Sequence, residues 1–373
     1  MKVYYWTPYM GNVGTIKATI NSAAALKKRG HEVKLYKLFH EWEGYEDLLQ
    51  QYGIEVVDFG LSKKWKSLPS KGIGFRISMI RLSVASFGKL KRNWNEEKPD
   101  IVIASLLGYL PLLARRSSSY KPIIVNSIQG RPRLHALRRL LWKLQYSDSD
   151  LLVTLSDETQ KEIHDKLGFP KNKIVRIDNP VIDGEIHRMA QEEPEQSYPE
   201  GFILGVGRLT RQKDFGTLIE AFSRLKDYQG KLVILGDGED KEKLSQRIAE
   251  LRLSDRIELK GFVKNPYCYM KRADAFVLSS LWEDAGHVLL EAAYVKAPIV
   301  STRCPSGQEE FLDYGEGGEL CEVGDPVDMA KKIEAVLSRN GQNKIERAYR
   351  KSLNYTMDIH GKRLEAALEG LLG

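Results

Sequence analysis

Two α/β domains, each a parallel sheet covered by helices, are what this sequence predicts, and three observations carry that prediction. Short apolar runs of strand length alternate with helix-length amphipathic stretches, the pattern of parallel strands joined by crossover helices. The alternation occurs twice, on either side of a polar stretch over residues 178–201 that includes Glu192-Glu193-Pro194-Glu195-Gln196-Ser197-Tyr198-Pro199 and reads as a linker or surface loop. The chain's 373 residues are also enough for two domains with real cores. The expected architecture is two Rossmann-like domains facing each other across a cleft, 1–185 and 186–354. Residues 355–373 either close the second domain or pack back on the first.

The first strand is expected over residues 2–6 and the first helix over 15–29, capped by Gly30. Between them lies Met10-Gly11-Asn12-Val13-Gly14-Thr15. This glycine loop can close on a phosphate or an acceptor, or simply be a tight turn. It lacks the full Gly-x-Gly-x-x-Gly fingerprint, which argues against a dinucleotide. Further strands are expected over 32–38, 101–105, 122–127, 151–155 and 173–177. The second half repeats the pattern at 202–206, 231–235, 256–259, 275–278 and 298–301. The closing segment, 358–372, places Leu364, Ala367, Leu368 and Leu371 on one helical face.

At 42% hydrophobic and 29% charged residues, the composition is that of a globular protein rather than a disordered or fibrous one. The apolar run at residues 1–8 is too short for a signal peptide, and no continuous apolar run is long enough to span a bilayer, so a cytoplasmic protein is expected. Cys268, Cys304 and Cys321 form no Cys-x-x-Cys pair and read as reduced packing residues. Neither a metal nor any other cofactor is expected.

Charge is split between the halves. Residues 1–180 hold 30 Lys and Arg against 17 Asp and Glu, whereas the remainder holds 27 against 33. Between Lys63 and Lys143, 18 basic residues meet only Glu96, Glu97 and Asp100. Such asymmetry points to an acidic partner for the first half. The runs 76–94 and 131–143 mix cations with large apolar residues, which suits peripheral contact with an anionic membrane at the inner face of the cell membrane. They equally fit ordinary helices that cover a sheet with their cations outward.

The most informative stretch is Leu281-Trp282-Glu283-Asp284-Ala285-Gly286-His287-Val288-Leu289-Leu290-Glu291-Ala292-Ala293, with seven residues between its two glutamates. Glu291, flanked by Leu289, Leu290, Ala292 and Ala293, is expected to enter the interior and to need a partner there. Gly286 opens the helix, where free N–H groups and the dipole favour an anion such as phosphate. Arg208 and Lys213 follow a strand ending in Gly205 and Gly207, so two cations can converge above the sheet's carboxyl edge on a pyrophosphate.

Gly205-Val206-Gly207-Arg208-Leu209, Gln212-Lys213-Asp214-Phe215, Gly236-Asp237-Gly238, Gly261-Phe262-Val263 and the Glu283/Glu291 pair together resemble the retaining glycosyltransferases of family 4, which adopt the GT-B fold. The resemblance is strong over 202–336 and takes in Ala273-Asp274-Ala275-Phe276-Val277-Leu278-Ser279-Ser280 and Ala297-Pro298-Ile299-Val300-Ser301-Thr302. Thr302-Arg303-Cys304-Pro305-Ser306-Gly307-Gln308-Glu309-Glu310 looks like the subset that builds bacterial surface polysaccharides, such as O-antigen or capsule, and lipid-linked oligosaccharides.

The resemblance implies that Glu291 bonds the ribose of a nucleotide-sugar donor, with UDP the expected carrier. Glu283 and the backbone of Asp284, Ala285, Gly286 and His287 would hold the transferred sugar, with Val288 and Leu289 in the same turn; Gly207 lies against the donor and the backbone of Val263 addresses the base. Glu283, Arg208 and Lys213 are the expected catalytic groups. A polyprenyl-pyrophosphate-linked saccharide is the implied acceptor.

Two departures stand out. Many relatives carry a first-domain histidine near the donor sugar, whereas the corresponding region here is Ser127-Ile128-Gln129-Gly130-Arg131-Pro132-Arg133, with His135 nearby. Gln129, Gly130 and Arg131 then become the acceptor-side candidates. The second departure is Asp284, which stands where glycine is commonest; it can accept a hydrogen bond from the sugar or point to solvent. No Asp-x-Asp metal motif and no protein nucleophile is evident, so front-face attack without a metal is implied. Two other functions remain open: a sugar-nucleotide 2-epimerase on the same fold, and a non-enzymatic binder of nucleic acid or another polyanion, with Trp65, Phe75, Phe87 and Trp94 stacking on bases. The acidic second half speaks against nucleic acid.

Overall fold

The computed structural model describes residues 1–8, 14–64, 72–105, 108–129, 139–140, 142–143, 146–283, 286–304, 307–338 and 341–373, without the side chains of 14, 63, 64, 72, 73, 75 and 76. The chain forms two compact units, Met1–Pro180 with Met357–Gly373, and Val181–Thr356.

The first unit is built on seven parallel strands: β1 (Lys2–Trp6), β2 (Glu32–Lys37), β3 (Glu55–Asp58), β4 (Ile101–Ala104), β5 (Ile123–Ser127), β6 (Leu151–Thr154) and β7 (Ile174–Arg176). Their order is β3-β2-β1-β4-β5-β6-β7. Central β4 is buried along its whole length, as a strand covered on both faces must be, and its sequence is accordingly Ile-Val-Ile-Ala. Helix Gly14–Lys28 covers one face with Ile16, Ile20, Ala23 and Leu26. Helix Gly72–Glu97 covers the other with Met79, Leu82, Leu90 and Trp94, spaced to lie on one side. The closing helix, Met357–Glu369, belongs to this unit and packs along Gly14–Lys28. Leu364 and Leu368 enter the core there.

The second unit has six parallel strands: β8 (Phe202–Val206), β9 (Lys231–Leu235), β10 (Ile257–Gly261), β11 (Ala275–Leu278), β12 (Ile299–Thr302) and β13 (Glu319–Cys321), in the order β10-β9-β8-β11-β12-β13. Both sheets start in the middle, run outward to one edge and then return to build the other. Their topology therefore reverses between β1 and β4, and again between β8 and β11. At such a reversal the loops leaving two adjacent strands diverge and open a crevice at their carboxyl ends. Among the described residues no helix is long and apolar enough to cross a membrane.

Strands β3 and β13 are absent from the sequence reading. Each lies at a sheet edge and has four residues or fewer, with Glu and Asp bounding Val-Val in one and Glu-Leu-Cys making up the other. Neither offers enough alternation to read.

Candidate functional site

The reversal between β8 and β11 gathers the polar residues of the second unit. The loop after β8 leads through Gly207, Arg208 and Lys213 to helix Phe215–Phe222. The loop after β11 leads through Ser279, Ser280 and Glu283 to helix His287–Tyr294. Hydrogen bonds tie the two loops, among them Leu281 N–H to Gln212 O (2.8 Å), Ser279 Oγ to Lys213 O (2.7 Å) and Gln212 Nε2 to Trp282 O (2.9 Å). From the end of β12, Thr302 Oγ1 donates to Ser280 O at 2.7 Å.

Glycine lets the backbones approach. A Cβ at Gly236 would lie 1.9 Å from Gly207 O, and one at Gly238 would lie 2.3 Å from Leu209 O. Lys213 runs flat over Gly207, where an added Cβ would meet its Cε at 3.1 Å. That path carries the ammonium to Glu283, with which it forms an ion pair. The Glu283 carboxylate, 6% exposed, also accepts from Ser280 Oγ at 2.6 Å. Lys213 thus pairs with Glu283, while the exposed Arg208 guanidinium makes no hydrogen bond or ion pair among the described residues.

Cys304 lies beside this pair. Burial pushes its thiol up to about 11, the Glu283 carboxylate adds to the rise, and Thr302 and Lys213 oppose it. With Cys268 and Cys321 it is a buried free thiol.

Helix His287–Tyr294 starts at Gly286, whose φ of 52° is a left-handed conformation that glycine adopts without strain. Among the described residues no side chain caps it and no acid occupies its first turn, so its positive end suits an anion. Leu289 is buried and Val288 packs on the core. The buried position expected for Glu291 is corrected: the helix sinks Leu289, Leu290, Ala292 and Ala293 and leaves Glu291 half-buried, where Tyr267 Oη donates to it at 3.4 Å. The flanking residues occupy the core-facing turns, and Glu291 projects between them at the boundary. His287 is half-buried as well. Val263 is half-buried against the core beyond β10, next to exposed Phe262. Asp284 and Ala285 lie outside the described residues.

Gln308 was not singled out from the sequence. It is 2% exposed, its Oε1 has no hydrogen-bond partner among the described residues, and its Nε2 is the atom that a Cβ at Gly286 would meet, at 3.0 Å. Its signal lay within the 302–310 run, but nothing in that run said which of its polar residues turns inward.

In the first unit, Gly14 and Thr15 begin the first helix, and Gly11 lies outside the described residues. Gln129 is held at both ends of its amide, Nε2 donating to Ser127 Oγ at 2.7 Å and Oε1 accepting from Asn179 at 2.9 Å. It lines a narrow cavity with Tyr5, Ser22, Asn179 and His360. His360, on the closing helix, contacts Asp178 O through Nδ1 (2.8 Å) and Ser22 Oγ through Nε2 (2.7 Å). Burial lowers it to about 4, so the ring is neutral: Nδ1–H donates to the carbonyl and Nε2 accepts from the hydroxyl. Gly130, Arg131 and His135 lie outside the described residues. Among those described, no three His, Cys, Asp or Glu side chains are grouped to hold a metal.

Residues 14–183 match the family model Glycosyltransferase Family 4, and residues 189–352 match Glycosyl transferases group 1. An uncharacterized glycosyltransferase of Methanocaldococcus jannaschii is 34% identical over 180 residues, 46% of this chain and 44% of that protein, so the match spans under half the relative's length. The N-acetylgalactosamine-N,N'-diacetylbacillosaminyl-diphospho-undecaprenol 4-alpha-N-acetylgalactosaminyltransferase of Campylobacter jejuni is 28% identical, over 76% of this chain and 78% of its own. Among solved structures, HepE from Anabaena in complex with UDP superposes with a TM-score of 0.78 at 17% identity, covering 99% of this chain and 100% of that one.

Proposed function

We propose that this chain, its halves matched by the family 4 and group 1 models, is a glycosyltransferase of the GT-B class that moves a sugar from a UDP-sugar to a polyprenyl-pyrophosphate-linked saccharide. The observation that carries this reading is the cluster at the reversal between β8 and β11, where Lys213, Glu283, the uncapped start of helix His287–Tyr294 and exposed Arg208 occupy one sheet edge. HepE, a structural neighbour, binds UDP, and the Campylobacter relative is named for an undecaprenol-diphosphate-linked saccharide. Such an acceptor would bring the enzyme to the inner face of the membrane.

In this proposal Arg208, Lys213 and the helix start hold the pyrophosphate, Glu291 takes the ribose and the backbone of Val263 the base. Glu283 and the backbone of 284–287 hold the sugar. On donor binding, Lys213 is shared between Glu283 and phosphate. The acceptor hydroxyl attacks the anomeric carbon from the face that the diphosphate leaves; the glycosidic electron pair departs on the diphosphate oxygen, and the hydroxyl proton passes to that oxygen. Configuration is retained. Charge aimed at the leaving oxygen contributes roughly 3–4 kcal/mol for one well-placed donor.

Nucleoside diphosphate release from UDP-, GDP- and dTDP-sugars, with and without a short-chain polyprenyl pyrophosphate saccharide, tests this. Release from a UDP-sugar, raised by the lipid, lost in Glu291→Gln and Arg208→Ala and unaffected by a chelator, is expected. No release from any donor overturns the donor reading. Release that a chelator abolishes overturns the metal-free step.

A further inference from the structure

We propose that the outward face of helix Gly72–Glu97 is a docking face for an anionic lipid bilayer, with Ile77, Ile80 and Val84 entering the interface. The helix is two-sided. Met79, Leu82, Ser86, Leu90 and Trp94 face the sheet and are buried. On the opposite side, Ile77, Ile80 and Val84 are 52%, 59% and 73% exposed. Their spacing, three and then four residues, sets them in one row, so they form a single apolar stripe rather than three scattered side chains.

The surroundings of the stripe say what covers it. Arg81 lies in the same row, and the side continues through Gly88, Lys91 and Arg92. Lys91 lies over the Phe87 ring at 5.6 Å, which leaves its ammonium at the helix surface. No Asp or Glu occurs between Asp58 and Glu96. Other exposed helices of this protein carry intrahelical ion pairs, among them Arg188 with Glu185 and Glu192, Arg247 with Glu250, and Lys362 with Asp358. Here Glu96 beside Arg92 is the nearest counterpart, beyond the stripe.

A helix face for water mixes both signs. One for another protein usually finds acids as well as bases at its rim. An apolar row bordered by cations alone matches a surface that is apolar beneath and negative above, which is the interface of a bilayer rich in anionic lipid. Both contributions are needed, because three side chains give only weak insertion and cations alone give only salt-sensitive attraction. The membrane location follows from the lipid-linked acceptor proposed above, but the docking face makes no use of the donor site and can fail or hold by itself.

The full chain is mixed with vesicles of phosphatidylcholine alone or with one third phosphatidylglycerol, and bound protein is measured by flotation. Binding to the anionic vesicles alone is expected, weakened at least about tenfold in Ile77→Ser/Ile80→Ser/Val84→Ser and again in Lys91→Glu/Arg92→Glu. Nucleoside diphosphate release in lipid-free solution should match wild type in both variants, which reports intact folding and separates this idea from the donor reading. Absence of wild-type binding to anionic vesicles overturns the proposal. So does binding that the serine variant leaves intact, or a self-association in sedimentation that the serine variant abolishes.

Discussion

Lys213 and Glu283, 70 residues apart in the chain, form an ion pair in which both side chains are nearly out of solvent. The pair joins the loop after β8 to the loop after β11, and it costs little only while both charges are present. Lys213→Met leaves the carboxylate with Ser280 as its remaining partner among the described residues and should cost about 3 kcal/mol or more. Lys213→Met/Glu283→Gln should recover most of that stability without recovering transfer. Urea unfolding beside turnover checks this; a double variant no more stable than the single one would show the pair to be incidental.

Glu291 calls for a different outcome. Because it is half-buried, Glu291→Gln should change stability by less than about 1 kcal/mol and weaken nucleotide binding roughly tenfold. Calorimetric titration with UDP measures the second effect and thermal unfolding the first. A variant that binds UDP as wild type does would remove Glu291 from the donor contacts.

Gly236 is set by distance. With its Cβ position 1.9 Å from Gly207 O, Gly236→Ala must push β9 and β8 apart at their carboxyl ends. A loss of about 3 kcal/mol or more is expected, and nucleotide affinity should fall with it. Gly261→Ala is the comparison, since open space surrounds the Cβ position there and only its φ of 80° resists the change. A milder loss of about 1 kcal/mol is expected.

His360 makes stability depend on pH. Its value is near 4 when folded and near 6.5 when unfolded, so between those limits the unfolded chain holds the extra proton and stability rises with pH. The contribution is complete above about 6.5 and gone near 4, on the order of 3 kcal/mol in all. Glu41 acts oppositely: burial raises it to about 7, and its contribution falls as pH climbs from the ordinary carboxylate range. The His360→Gln difference from wild type isolates the histidine. A difference that stays flat from pH 4 to 7 would contradict its neutral, doubly bonded state.

The alternation of strand-like and helical runs was enough to read two parallel sheets, because strands buried on both faces are compositionally distinct. Edge strands Glu55–Asp58 and Glu319–Cys321 are too short and too polar to stand out. Of the site, the loops carrying Arg208, Lys213 and Glu283 could be read from glycine and charge spacing. The direct pairing of Lys213 with Glu283 could not, since it depends on the order of β8 and β11 in the sheet. Glu291 misled for a local reason: four buried neighbours do not bury the residue among them when it falls at the helix edge. Gln308 was invisible because inward rotation of one polar side chain leaves no periodic trace.

The closing helix has a consequence for how the protein is made. The first unit's sheet is encoded by the time Arg176 is added, but its core still lacks Leu364 and Leu368, and Ser22 and Arg29 still lack His360 and Glu365. The second unit lies wholly between these two pieces, closed at its base where Ile182 pairs with Thr356. During synthesis the first sheet must therefore wait, with an apolar flank uncovered, while the second unit is translated and can fold. It is completed only when residues 357–373 arrive, so the half translated first is the half finished last.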